Sequence, residues 1–317
     1  MSLPPASVDA QLDAVIIALL KLDPTGARIG SVLRSTLDQL YDGQRTGRYR
    51  WEQLHKTEKT HCGTLVEINL HREFDFDDGD ELDYKIAGND VDCKYSQTLG
   101  GWMIPPEAHG KLCLLVWAND QQSEWNVGLV RAHAHLLGRP NRDGKCTLNP
   151  EGRLAIHWLY SPSQNGSTSQ LGNLTHLALL PNILLQLPAN TVDGIMSLRH
   201  GTQRLNQLFT VASGMRVGRG VVATVAKQDD YMKRVRENGG SRTALRPKGI
   251  IILGQFGSHV VIAKALGVPS PMRGESVSVR VYPATQNEQG VAMIEGGYWR
   301  KANAGDTVVT APKLPSK

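Results

Sequence analysis

Between Val8 and Leu22 the apolar residues Leu12, Val15, Ile16, Leu19 and Leu20 fall at helical spacing. This predicts an amphipathic helix that ends at Asp23-Pro24. A second helix is expected over Ala27–Tyr41, stopping at Asp42-Gly43, and another over Gly63–Phe74, with Trp51–Thr60 polar and aperiodic between them. After the acidic turn Asp75–Glu81 the period changes to two. Leu82–Tyr95 reads as two short alternating strands around a Gly88-Asn89-Asp90 turn, a strong hairpin signal. Lys111–Ala118 is a continuous apolar run of the kind found in a strand buried on both faces, and Trp125–Leu137 is expected to be the helix covering it. These elements make an α/β first domain over residues 1–160.

Ser161–Asn173 is rich in Ser, Gly, Asn and Gln, a linker composition, which leaves residues 174–317 as a second domain. Its pattern gives a helix at Thr202–Val211, helical material over Val217–Ala226, a turn at Lys227–Asp229 and a helix over Asp230–Asn238 closed by Gly239-Gly240. Strands follow at Gly249–Gly254 and Ser276–Tyr282. Two short helices across a turn, then strands, is the order of a helix-turn-helix in a winged-helix-like α+β domain.

Composition narrows the function classes. Apolar residues at 40% and charged residues at 21% are globular values, and no apolar run reaches membrane-spanning length. The Met-Ser-Leu-Pro-Pro start lacks the basic flank and short apolar core of a secretory signal. The four cysteines (Cys62, Cys93, Cys113, Cys146) are scattered, with no C-x-x-C. That spacing argues against a zinc site or a disulfide framework and for a cytoplasmic protein without a membrane partner. The net charge of +5 conceals a sharp partition: eleven Lys and Arg face three acids between Arg199 and Lys248, whereas Glu67–Asp83 holds eight acids and a single arginine, Arg72. One region suits a polyanion and the other suits cations, which is what a metal-dependent nucleic-acid enzyme requires.

In the hairpin, Asp92 and Lys94 share one strand face and Cys93 takes the other. Asp83 sits on the paired segment, and Glu67 lies on the upstream helix. Phosphodiester hydrolysis needs charge neutralisation at the phosphate, an activated water and help for the leaving oxygen. Mg2+ prefers one or two carboxylates plus phosphate and water. Asp92 would be the central ligand, Asp83 and Glu67 would complete the site, and Lys94 would polarise the water or stabilise developing charge. Arg216, Arg219, Lys227, Lys233, Arg234, Arg236, Arg242 and Arg246 are candidates for DNA phosphate and groove contacts.

Three other patterns fail on inspection. Asp75–Asp80 imitates a calcium loop, but its glycine falls one position early and Ile86 stands where the closing Glu belongs. Gly218-Arg219-Gly220-Val221-Val222-Ala223 matches a dinucleotide fingerprint without an evident preceding strand or βαβ setting. Leu40-Tyr41-Asp42-Gly43 matches the Lys-x-Asp-Gly of DNA ligases except at Leu40, and leucine cannot form a phosphoramide.

Asp83…Asp92-Cys93-Lys94 with Glu67 upstream resembles the PD-(D/E)xK nuclease core. Ser35–Tyr49, His61–Glu73 and Ala226–Arg236 resemble, in the same order, the NaeI family of restriction endonucleases. The resemblance implies an endonuclease domain followed by a DNA-binding domain with a helix-turn-helix related to catabolite activator protein. It further implies a Mg2+-dependent homodimer that cuts a GC-rich palindrome such as GCCGGC in double-stranded DNA and engages a second DNA copy as activator. Glu67, Asp83, Asp92 and Lys94 carry over as catalytic positions, and Leu40 marks a topoisomerase-like relationship. The alternatives are a non-catalytic DNA-binding regulator, or a topoisomerase- or ligase-like strand-transfer enzyme.

Overall fold

The computed structural model describes residues 9–160 and 176–315 as a mixed α/β chain. The expected linker Ser161–Asn173 lies outside the described residues. The chain gathers into two units: Met1–Leu40 with Leu54–Leu180, and Tyr41–Gln53 with Pro181–Lys317. No described helix is long and apolar enough to cross a membrane.

The chain opens with α1 (Ala10–Leu22), α2 (Ala27–Tyr41), the short α3 (Gly43–Thr46) and α4 (Lys56–Phe74). The stripe predicted for α1 is buried, and the Asp9 carboxylate caps it by accepting the Leu12 N–H. Helix α4 starts well before the expected Gly63, because Glu58 folds back to accept the His55 N–H and closes the first turn in an otherwise polar stretch.

The sheet of the first unit contains β1 (Asp77–Asp78), β2 (Tyr84–Ile86), β3 (Asn89–Ser96), β4 (Leu112–Asn119), β5 (Glu124–Arg131), β6 (His157–Trp158) and β7 (Leu177–Ala178). β1 to β6 lie side by side in chain order, with β7 also on β5. Among the described residues only β3 and β4 of this sheet pair in parallel, with Asp92 opposite Cys113 and Lys94 opposite Leu115. β4 is buried from Leu112 to Ala118, as its apolar run requires.

Two expectations for this unit need correction. The segment expected as a helix over Trp125–Leu137 begins as strand β5, paired along its whole length with β4. Its residues are buried on both faces from Trp125 to Val130, so burial erases the alternation that would have marked a strand. The hairpin turns one residue earlier than expected. Ala87 and Gly88 take the positive φ values of 50° and 76°, and Ile86 pairs with Asn89. Positive φ at both central positions is the two-residue turn that matches strand twist. The register that follows puts Tyr84 opposite Val91 and Lys85 opposite Asp90, whose carboxylate accepts the Asp80 and Glu81 N–H groups and pins the acidic loop.

The second unit takes α3 and adds α6 (Ala189–Ser197), α7 (Gly201–Val211), α8 (Arg219–Ala226), α9 (Ser241–Leu245) and α10 (Gly257–Ala265), α5 (Pro150–Leu154) belonging to the first. Its strands are β8 (Arg216–Gly218), β9 (Ile250–Leu253), β10 (Glu275–Pro283), β11 (Val291–Ile294) and β12 (Gly297–Lys301). β10 is the spine: β8, β9 and β12 all pair with it antiparallel, and β11 pairs with β12. Leu205, Leu208, Phe209, Val222, Val225 and Leu245 form the core beneath it. Arg204 closes the end of α8 by donating to the Val225 and Ala226 carbonyls.

Here too the pattern misled in places. The helix expected over Asp230–Asn238 is a single 3₁₀ turn, Tyr231–Arg234, followed after a glycine-rich bend by the five-residue α9. Asp230 pairs with both Lys233 and Arg234 on that turn, and Gly239 takes φ 76° in the bend that follows. A short strand, β8, does precede the Gly218–Ala223 motif, contrary to expectation. It pairs antiparallel with β10, so the parallel βαβ setting of a dinucleotide site is still missing.

Candidate functional site: a carboxylate–lysine centre on the first sheet

β2 ends its pairing with β3 at Tyr84–Val91, so the next inward N–H of β3, that of Cys93, has no strand beside it. Asp83, immediately ahead of β2 instead of within it, fills that gap: its Oδ2 accepts the Cys93 N–H at 2.7 Å. Lys94 turns back along β3 and donates from Nζ to Asp92 Oδ1 at 2.7 Å and to the Cys93 carbonyl at 3.0 Å, with Asp83 Oδ2 at 3.5 Å. Glu67 comes from the middle of α4, whose backbone is fastened to the hairpin where the Tyr84 hydroxyl donates to the Glu67 carbonyl at 2.8 Å. The structure thus brings all four sequence-predicted residues to one centre.

The electrostatics are unbalanced towards negative charge. Burial pushes the Asp92 carboxyl above its ordinary range; Lys94 draws it back, while Asp83 and Glu107 push further in the raising direction. Burial likewise raises Glu67, reinforced by Asp83 and Asp92 and opposed by Lys94 and His71. For Lys94, burial disfavours the charge, but Asp92 and Asp83 outweigh it, so the amine is held protonated. The Cys93 thiol is pushed up to about 12 by burial, which makes it inert.

Asp92 is 3% exposed, and its Oδ2 has no hydrogen-bond partner. A buried carboxylate oxygen without a hydrogen-bond partner, among further acids, is one that a cation would satisfy. Among the described residues no group of three or more His, Cys, Asp or Glu side chains is placed to hold a metal ion by itself. Lys94 stands between Asp92 and Asp83, and an open site with one or two carboxylates is what Mg2+ uses when phosphate and water supply the rest. The donor set fits a hard divalent cation.

A prediction follows from the raised carboxyls. Glu67 binds its proton more tightly in the folded chain than in the unfolded one. Its favourable contribution is therefore complete below the ordinary carboxylate range and is lost as pH rises through the raised value. Glu67→Gln is expected to melt slightly higher than wild type in metal-free buffer at neutral pH, by about a degree given its partial exposure. The difference should vanish near pH 4, and added Mg2+ should stabilise wild type more than the variant. Thermal melts across pH, with and without Mg2+, check all three.

The basic residues of the second unit sort into two groups. Arg216 faces Glu275 at 3.7 Å, Arg219 donates to the Tyr231 hydroxyl, and Arg242 and Arg246 donate to the Ile252 and Ala311 carbonyls. Burial also draws the Arg242 guanidinium below its usual value. Lys227 ends α8 in a left-handed conformation and is exposed. Lys233 and Arg236 are exposed and Arg234 is half-buried, all on the bend after α8. Leu40 is buried in α2, the environment of a core residue and not of a nucleophile. Glu107, whose charge acts on Asp92, is invisible to pattern reading, since it lies fifteen positions away and is brought to this end of the sheet by the parallel pairing of β3 and β4.

Two carboxylates and a lysine at the margin of a mixed sheet, with a glutamate from a neighbouring helix, have the layout of a PD-(D/E)xK nuclease centre. The sequence model described as restriction endonuclease NaeI matches residues 13–310. The chain is 50% identical over 319 residues to the Type II restriction enzyme NaeI of Lentzea aerocolonigenes, covering 98% of this chain and 96% of that one. It belongs to the NaeI restriction endonuclease family.

Proposed function

We propose that this chain is a Mg2+-dependent Type II restriction endonuclease whose centre is Glu67, Asp83, Asp92 and Lys94. The bare, buried Oδ2 of Asp92 beside the Lys94 ammonium carries the reading, together with the 50% identical relative. Bound Mg2+ would neutralise phosphate charge and make an attacking water more acidic. Asp92 and Asp83 would hold the cation, with Glu67 reaching it from α4. Lys94, fixed by Asp92 and the Cys93 carbonyl, would present its remaining N–H to the attacking water or to the oxygen on which charge develops. In-line attack leaves a 5′-phosphate and a 3′-hydroxyl.

The finer assignments are part of the same proposal. In the second unit the order α7, β8, α8, the Tyr231–Leu245 region, β9 and β10, with β8 and β9 flanking β10, supports a winged-helix DNA-binding domain carrying α10 as an insertion. Lys227, Lys233, Arg234 and Arg236 are best placed for phosphate and groove contacts, while Arg242 and Arg246 act mainly by holding the fold. A palindromic, GC-rich site such as GCCGGC presents two symmetry-related bonds and so calls for a homodimer, with a second DNA copy as activator.

Incubation of plasmid with the protein and Mg2+ should give discrete fragments, and sequencing their ends should return one site and 5′-phosphates. A shifted but uncut plasmid would make the chain a DNA-binding regulator; a covalent adduct trapped by denaturant would favour strand transfer. Arg236→Ala should weaken DNA binding at every sequence and flatten its salt dependence, by about 0.9 in log–log slope for each phosphate left without its cation. An unchanged slope would place Arg236 off the DNA.

A further inference from the structure

Asp92 and Lys94 project from the face of β3 opposite Cys93, and the register puts Cys113 and Leu115 of β4 on that same face. Cys113 packs there with Ile104, Ala108, Leu136 and Leu148, all buried. Asp92 lies opposite the second residue of β4, and β5 ends beside the start of β4, with Arg131 opposite Leu112. The chain leaving β5 therefore emerges at the end of the sheet that carries Asp92. It then folds into a narrow hairpin, Gly138–Thr147, whose base is fastened to the Asp92 face. Gly138 N–H donates to the Thr147 carbonyl, Leu137 bridges to Leu148, and Cys146 exchanges both backbone hydrogen bonds with Ile104. The tip is ordered by Asn141, whose side-chain oxygen accepts the Asp143 and Lys145 N–H groups while its own N–H donates to the Lys145 carbonyl. Gly144, at φ 75°, sits against the 3₁₀ turn Pro106–Ala108 that leads towards β4; a Cβ there would lie 3.1 Å from Pro106 Cγ. Charge sets this hairpin apart. Lys85, Lys94, Lys111 and Arg131, around the same end of the sheet, are each paired with an acid. Arg139, Arg142 and Lys145 are exposed on the hairpin, and among the described residues none of their side chains has an ion pair or hydrogen bond, with Asp143 included.

Duplex DNA carries one negative charge per about 1.7 Å of its axis. A phosphate brought to Asp92 and Lys94 for cutting therefore draws its neighbours past this end of the sheet. The acid-rich centre repels them, and unpaired guanidinium and ammonium groups attract them. We infer that the Gly138–Thr147 hairpin grips the DNA being cut, with Arg139, Arg142 and Lys145 taking backbone phosphates beside the scissile one. The contact belongs to the first unit and is separate from the basic bend proposed to meet DNA in the second. It rests on the centre proposed at Asp92 and Lys94, since that centre fixes where the duplex must lie. The fork of each arginine suits phosphate oxygens, and a tip already ordered by Asn141 loses little freedom on binding.

Cleavage kinetics, with metal-free DNA binding measured across salt concentration, test it in the full chain. One variant combines Arg139→Ala, Arg142→Ala and Lys145→Ala; a second keeps the charges, with Arg139→Lys and Arg142→Lys; Asp92→Ala is the control for the centre. The three side chains have no partner to lose, so thermal melts of the first two variants should match wild type. The alanine variant should raise KM for plasmid about tenfold or more, with a smaller change in kcat. It should also flatten the salt dependence of binding by about 0.9 in log–log slope per phosphate contact removed. The lysine variant should keep the wild-type slope. Wild-type KM and slope in the alanine variant, while Asp92→Ala is inactive, overturn the hairpin contact and leave the centre standing. An equal loss in the lysine variant overturns it too, because charge is then not what acts. Full cutting by Asp92→Ala removes the centre and the inference with it.

Discussion

Asp92→Ala is expected to abolish plasmid cutting, with a loss of about a thousandfold or more, while leaving binding to the intact DNA site in metal-free buffer unchanged or tighter. The size follows from what is removed: a cation at the reacting phosphate is worth several kcal/mol of transition-state stabilisation. Asp92 is the proposed central ligand, and one oxygen of its buried carboxylate has no hydrogen-bond partner. The sign of the binding effect follows from charge, since an acid-rich centre repels phosphate and one carboxylate fewer repels it less. Lys94→Ala should lose cutting on a similar scale, but for another reason. The ammonium held 2.7 Å from Asp92 and 3.5 Å from Asp83 both offsets their repulsion and offers donors to the reacting oxygens. Lys94→Ala should therefore also lower metal-free stability, whereas Glu67→Gln should raise it. Cleavage rates at saturating Mg2+, gel-shift affinities without metal and thermal melts together separate the roles. Near wild-type cutting by Lys94→Ala would remove the lysine from the chemistry.

How much of this the sequence announces depends on the range of the interaction that sets each feature. The D-x-K pair is legible because strand alternation is a purely local rule, and it correctly puts Asp92 and Lys94 on one face. The buried β4 is legible because the run Leu112–Ala118 has no polar interruption. β5 is not, because a strand buried on both faces loses the period of two and its apolar residues can be read equally as a helix. The 3₁₀ turn at Tyr231–Arg234 escapes pattern reading for another reason: its residues suit a longer helix, and local pattern does not separate a single 3₁₀ turn from the start of an α-helix. Glu107 and the placement of Tyr41–Gln53 depend on pairings distant in sequence, about which local pattern carries no information.

That last stretch leads to an expected large effect on stability. Gly43→Ala should destabilise the second unit by about 1–3 kcal/mol, the usual cost of forcing extra volume into a filled interior. Gly43 begins α3 after Asp42, which is held in the left-handed region at φ 46°. A Cβ at Gly43 would lie 2.0 Å from the Thr224 hydroxyl oxygen and 2.8 Å from the Arg48 carbonyl oxygen. The hydroxyl cannot easily retreat, because Thr224 sits on α8 with that oxygen donating to the Gly220 carbonyl, and the Arg48 carbonyl is part of the chain leaving α3. Either the turn at Asp42 must open or α3 must lift from α8. Both would disturb the neighbouring Gln44 to Asp229 hydrogen bond, next to the basic bend proposed to meet DNA. Denaturant unfolding of Gly43→Ala measures the cost, and Thr224→Ala in the same chain should return part of it by removing the nearest of three obstacles, while the Arg48 carbonyl oxygen and the Cβ of residue 224, at 2.8 and 2.9 Å, remain. Cost without rescue would assign the strain to the Arg48 carbonyl, the retained Cβ of residue 224 and the turn, whereas no cost at all would mean that α3 is not seated on α8 in solution.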